Sequence, residues 1–179
     1  MTRLARTMPL VASVLLVAAC VDSEAGKVQG GTLRAAGDLG SISMVVHEYM
    51  FGDDFTVGAL PICATAPVSI TAIQLLDAKG VALTAYTVSR PSLTPDVQPA
   101  GHRGPISDFD KQSLKFVSSN CGSGEGSQFL ALQLRATEDG ASTNRAELEY
   151  ATNGAPPSKM QIPLKVTFCH KASPLPQCL

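Results

Sequence analysis

Beyond residue 40, apolar and polar residues alternate in short runs separated by turn signals. Residues 42–49 (ISMVVHEY) are rich in strand formers. Gly52-Asp53-Asp54 reads as a turn, and Phe55-Thr56-Val57 resumes extended character. In residues 67–75, Val68, Ile70 and Ala72 fall on one face, with Ser69, Thr71 and Ile73 on the other. The turn Asp77-Ala78-Lys79-Gly80 and the run 81–88 that follows predict a β-hairpin. Residues 113–118 alternate again. Residues 129–135 (FLALQLR) form the most apolar run and predict a central strand. Ala146, Leu148 and Tyr150 share one face opposite Arg145, Glu147 and Glu149. Ile162, Leu164, Val166 and Phe168 alternate with Pro163, Lys165 and Thr167, and Pro163 within the run predicts a sheet edge. No stretch past residue 19 carries apolar residues at helical spacing over three turns. The pattern predicts an all-β domain over residues 41–179: an antiparallel β-sandwich, immunoglobulin-like, of about seven strands. A small closed barrel is the alternative.

Two regions break the alternation. Residues 89–112 carry Pro91, Pro95, Pro99 and Pro105, and so predict a long loop or crossover. Residues 21–40 hold five Gly and little bulky apolar content, and with Cys20 they read as a flexible tether, 20–40.

The N-terminus has a different pattern. Arg3 and Arg6 precede an apolar run from Leu10 to Ala19 that holds one polar residue, Ser13, and Lys, Asp and Glu are absent before Cys20. This is the layout of a secretory signal peptide, residues 1–19. The run is too short for a membrane span, which needs roughly 20 residues. Val17-Ala18-Ala19-Cys20 resembles the lipobox of bacterial lipoproteins. The resemblance implies cleavage before Cys20, a diacylglyceryl group on its sulfur and often acylation of the new amine. It implies an extracytoplasmic protein tethered to the cell membrane by lipid, or to the outer membrane in a Gram-negative cell. The mature chain also loosely resembles small uncharacterised actinobacterial lipoproteins, through Val57-Gly58-Ala59-Leu60-Pro61-Ile62-Cys63, Cys121, Cys169 and the Pro-rich tail to Cys178. That likeness implies no activity.

Charge and cysteine count refine this picture. Two of the 14 basic residues and none of the 15 acidic ones lie in the signal, which leaves the mature chain at net −3. There is no basic block, so nucleic acid is excluded as an expected partner. Five cysteines are odd for an exported chain. With Cys20 given to lipid, Cys63, Cys121, Cys169 and Cys178 remain for disulfides, in one of three pairings. Strand parity narrows them. If the Pro-rich segment turns back where the 81–88 strand ends, Cys63 meets Cys169 and Cys121 meets Cys178. If it crosses to the opposite end, Cys63 meets Cys121 and Cys169 meets Cys178. The second is preferred, because eight residues with Pro174 and Pro176 can close a local loop.

Candidate chemistry is sparse. Met44, His47 and Met50 offer thioether and imidazole ligands of the kind that suit copper. Strand alternation points His47 away from the two methionines, so a bulge near Met50 is needed to bring them together. Met160 and His170 are more distant possible ligands. The competing reading has Met44 in the core and His47 exposed. His102 with Asp108 and Asp110 is a possible acid–base set in the long loop, but no hydrolase or zinc-protease motif accompanies it. The glycine-rich run 122–126 lacks the Lys-Ser/Thr of a phosphate loop. The sequence therefore predicts a non-catalytic lipoprotein that binds a protein or supports an envelope assembly. A copper-handling lipoprotein is the alternative.

Overall fold

A computed structural model describes residues 31–35, 42–89, 100–108, 114–118, 120–121, 128–152, 154–171 and 173–178. The described residues form ten strands and two short 3-10 turns: β1 Leu33–Ala35, β2 Ile42–Val46, β3 Phe55–Ala64, β4 Val68–Leu76, β5 Val81–Val88, β6 Ala100–Arg103, β7 Phe116–Val117, β8 Gln128–Ala136, β9 Ala141–Ala151 and β10 Ser158–Phe168. They make two five-stranded sheets. One runs β1-β3-β8-β5, with β6 also on β3; the other runs β2-β10-β9-β4-β7. If β1, β3, β4, β5, β8, β9 and β10 are taken as the seven strands of an immunoglobulin domain, these orders are those of its two sheets. The fold is thus the expected immunoglobulin-like β-sandwich. One pair departs from antiparallel: β2 lies parallel to β10, with Ile42 opposite Leu164 and Val46 opposite Phe168.

The core lies between the sheets. Val57, Leu60 and Ile62 of β3 and Leu130, Leu132 and Leu134 of β8 meet Leu148 of β9 and Ile162, Leu164 and Val166 of β10, all essentially fully buried. Period-2 spacing produces this in β8 and β10, where alternate residues face inward, while in β3 a register shift between Val57 and Leu60 keeps both residues inside. Removing a leucine here leaves a cavity that costs about 2–5 kcal/mol.

Five expectations are corrected. First, β4 and β5 are not a hairpin: β4 pairs with β9 in one sheet and β5 with β8 in the other. The turn at Asp77–Gly80 is a corner between sheets, with Asp77 and Gly80 both in the left-handed region. The Lys79 and Ser142 backbones bond there, and Asp77 accepts Arg145 at 2.7 Å. Second, β10 is not an edge strand, because β2 lies on its far side. Pro163 is tolerated because it sits at a register shift and β2 pairing starts one residue later, at Leu164. Third, a register shift between Ile70 and Ala72 moves Ala72 to the exposed side and turns Ile73 partly inward. Fourth, Leu33–Ala35, within the stretch read as tether, pairs with β3 and buries Leu33. Fifth, the Pro-rich stretch contains β6, which pairs with Phe55–Gly58.

β6 explains the cysteines. β5 ends at the near end of the sandwich, beside Cys63, whereas β6 lies against the start of β3, at the far end. The chain then returns to the near end, where β7 pairs with the start of β4. The return segment is anchored on the outer face of the β3-β8-β5 sheet. Thr56 Oγ1 donates to Gly104 O at 2.9 Å, Ile106 N to Gln133 Oε1 at 2.8 Å, and Leu114 N to Thr87 Oγ1 at 3.1 Å. Thr56, Thr87 and Gln133 are consequently buried although they point outward, and β8 is covered on both faces. The segment crosses, as the preferred pairing requires. Cys63 bonds Cys121 at the near end and Cys169 bonds Cys178 at the far end, with Cα separations of 5.1 and 5.6 Å.

Candidate functional site

The far end carries most of the side chains singled out from the sequence, and Tyr49 builds it. After β2 the chain turns through His47 and Glu48, the latter in the left-handed region at φ 53°. The Tyr49 backbone is then held by Tyr49 N donating to Cys169 O at 3.0 Å. The Tyr49 ring is buried on Phe168, with centroids 4.7 Å apart, and Phe168 meets Phe55 edge-on at 5.7 Å. The Tyr49 hydroxyl donates to Asp53 O and accepts from Ala136 N at 3.1 Å. Burial pushes this phenol above its ordinary pKa; the Ala136 hydrogen bond works in the other direction. Gly52 N donates to Ala136 O, and Asp53 N to Met50 O. The loop is thereby pinned to the end of β8 and projects Met50 and Phe51, which stay 59% and 49% exposed.

The C-terminal tail forms the other side of this end. His170 stacks on Phe51 with ring centroids 5.3 Å apart. Asp139 accepts His170 N at 2.8 Å and Ser173 Oγ at 2.6 Å. These bonds, the Ser173 hydroxyl first, hold the Asp139 carboxyl below the usual carboxylate pKa. Gly140, at φ 71°, leaves room for Leu175, which any Cβ there would strike.

Two concavities flank the Tyr49 loop. A cleft of about 320 Å³ is lined by Tyr49, Met50, Asp53, Asp54, Arg103, Gly104 and Pro105. A groove of about 450 Å³ runs between β2 and β6, bounded by Met44–His47, Phe55, Gly101 and Arg103. Gly101 is required there because the Phe55 ring lies directly over its Cα. Arg103 borders both spaces and donates from its guanidinium to His47 O. Asp54 is taken up by Arg135 at 2.7 Å.

The structure thus divides the copper candidates. Met44 and His47 line the groove, Met44 half-buried against the core and His47 exposed. Met50 lines the neighbouring cleft, with the Arg103 cation between the two. Met160 and His170 are not brought together: Met160 lies near the start of β10 and His170 just past its end, about 26 Å apart along the strand. His102 is exposed on β6, Asp108 ends a 3-10 turn, and Asp110 lies outside the described residues. Among the described residues no group of three or more His, Cys, Asp or Glu side chains is placed to hold a metal ion. Cys20 and the signal segment lie outside the described residues. No helix among the described residues is long and apolar enough to cross a membrane.

Sequence reasoning missed Gln128, the hub of the near end. It is 1% exposed; its Oε1 accepts Ser118 N, and its Nε2 donates to Ser89 O at 2.9 Å and Phe116 O at 3.2 Å. Its only trace in the sequence is a glutamine opening the most apolar strand, a pattern that a solvent-facing glutamine shares.

No known protein family matches the chain, and no curated protein matches it. Among solved structures, the collagen-binding subdomain of the Enterococcus faecalis surface protein ACE aligns over 67% of this chain and 80% of that one. Its sequence identity is 9% and its TM-score 0.17, too low to bear on fold or partner.

Proposed function

We propose that the chain is an extracytoplasmic lipoprotein, anchored to a membrane through acylated Cys20, whose β-sandwich is a non-catalytic module that binds a protein or supports an envelope assembly. The observation that carries this reading is the division of the cysteines. Four of the five are joined in two disulfides, one at each end of the sandwich, and the fifth is the cysteine of the lipobox-like Val17-Ala18-Ala19-Cys20. Two disulfides suit an oxidising compartment outside the cytoplasm. An acylated cysteine with two or more chains holds a protein stably on a bilayer, at about 0.8 kcal/mol per buried CH₂. The test is fractionation after a high-salt wash. The natural chain is expected in the membrane fraction and Cys20→Ser in the soluble fraction; a Cys20→Ser chain that stays on the membrane contradicts the reading.

Copper handling by Met44, His47 and Met50 is the second reading. The shared groove of Met44 and His47 favours it, and the neighbouring Arg103 cation opposes it. Competition against a Cu(I) chelator tests it: uptake that falls in Met44→Leu and His47→Ala supports it, and no uptake ends it.

A further inference from the structure

Among the described residues, one sheet edge at the far end carries no further strand and is chemically specific. β2 is the terminal strand of its sheet, and among the described residues it pairs with β10 alone. Cys169 N donates to Val46 O at 2.9 Å, which sets the direction of the β2 backbone groups. Those of Met44 and Val46 face β10, and those of Ser43 and Val45 face away from it. The strand, ISMVV, carries none of the lysine, proline or bulge with which edge strands discourage pairing. Four large apolar side chains are conspicuously exposed among the described residues. Three of them, Val45, Met50 and Phe51, belong to β2 and the loop after it.

The space beside this edge has a defined chemistry. Its floor is Phe55 over Gly101, and its rim is Arg103. Arg103 spends a guanidinium N–H on His47 O, which caps the open edge at its end, and has no carboxylate partner among the described residues. The groove therefore matches a chain with free backbone amides and carbonyls, an apolar side chain and a negative charge.

We propose that the edge of β2 takes up an extended polypeptide segment of another protein as an added strand, with an apolar side chain over Phe55 and an acidic side chain at Arg103. This rests on the binding-module reading above. The position of the anchor fits it. The described chain starts at the near end, where Thr65 N donates to Thr32 O, 11 residues after Cys20. The β2–β6 groove lies toward the opposite end of the sandwich, where β6 continues the edge of β3 that β1 pairs with at the near end.

The test uses the mature chain purified in detergent and a random-peptide display library. Selected peptides are expected to alternate apolar and polar residues, to carry an acid, and to slow amide hydrogen exchange in residues 42–47. Arg103→Glu is expected to weaken them about tenfold or more, with recovery when the peptide acid is changed to lysine. Val45→Pro removes an outward N–H without touching the β10 ladder and is expected to weaken them while leaving the melting temperature near the natural value. Peptides that protect another segment, or that ignore both substitutions, overturn the edge assignment and leave the binding-module reading standing. A dimer joined through β2 also overturns it, since the occupant is then a second copy. If no peptide binds anywhere, the edge assignment falls and the envelope-assembly half of the module reading is what remains.

Discussion

Tyr49 and Gln128 act alike at opposite ends of the sandwich. Each is a buried side chain whose polar atoms satisfy loop backbone that the sheets leave over. Tyr49→Phe keeps the ring on Phe168 and deletes the bonds to Asp53 O and Ala136 N. We expect it to cost about 1–3 kcal/mol in urea unfolding. Gln128→Leu strands Ser118 N, Ser89 O and Phe116 O, and a loss on the order of 2–4 kcal/mol is expected in the same measurement. Neither role was legible in the sequence, because a tyrosine or glutamine at a strand end has the same pattern whether it staples a loop or faces water. Asp139 gives a pH signature. Its carboxyl is held below the ordinary value when folded, so its contribution is present above the unfolded pKa and is lost as pH falls through the lower folded one. Exchange protection in the tail, residues 170–178, is therefore expected to fall at acid pH in the natural chain. In Asp139→Asn it is expected to be weak at neutral pH and flat across that range.

At the scale of elements, the strands were legible and their partners were not. Period-2 alternation placed β4, β5, β9 and β10 closely, because each strand has a dry face and a wet one. The Asp77–Gly80 turn carried every local sign of a hairpin, yet the flanking strands enter different sheets. A tight turn and a sandwich corner need the same left-handed residues, so local chemistry does not separate them. β6 was hidden by the prolines around it. Yet strand parity tied the pairing to the path of this segment, and the short spacer between Cys169 and Cys178 preferred the crossing that β6 makes, and with it the pairing of Cys63 with Cys121. The two disulfides should differ in weight. Cys63–Cys121 closes a separation of 58 residues and Cys169–Cys178 one of 9. In the chain-entropy account these contribute about 4 and about 3 kcal/mol. The double replacement Cys63→Ala/Cys121→Ala is expected to lower the melting temperature more than Cys169→Ala/Cys178→Ala. The second pair should show mainly as faster exchange in the tail.

For the molecule as a whole, the candidate site is a mixed result. Met44, His47 and Met50 do gather at the far end, but around Arg103 and in two separate spaces. The sequence could not show that arginine approaching, because β6 reaches it from the other sheet. Among the described residues the molecule is a two-sheet body with a disulfide at each end, β1 at the near end and β2 as the terminal strand of its sheet toward the far one. The account depends most on Cys20 being the first residue of the mature protein and carrying lipid. The direct measurement is mass spectrometry of the N-terminal tryptic peptide, Cys20–Lys27, from the membrane-extracted chain. The account predicts a peptide that begins at Cys20 and carries the added mass of a diacylglyceryl group. A mature chain that starts elsewhere, or a peptide with an unmodified Cys20, contradicts it.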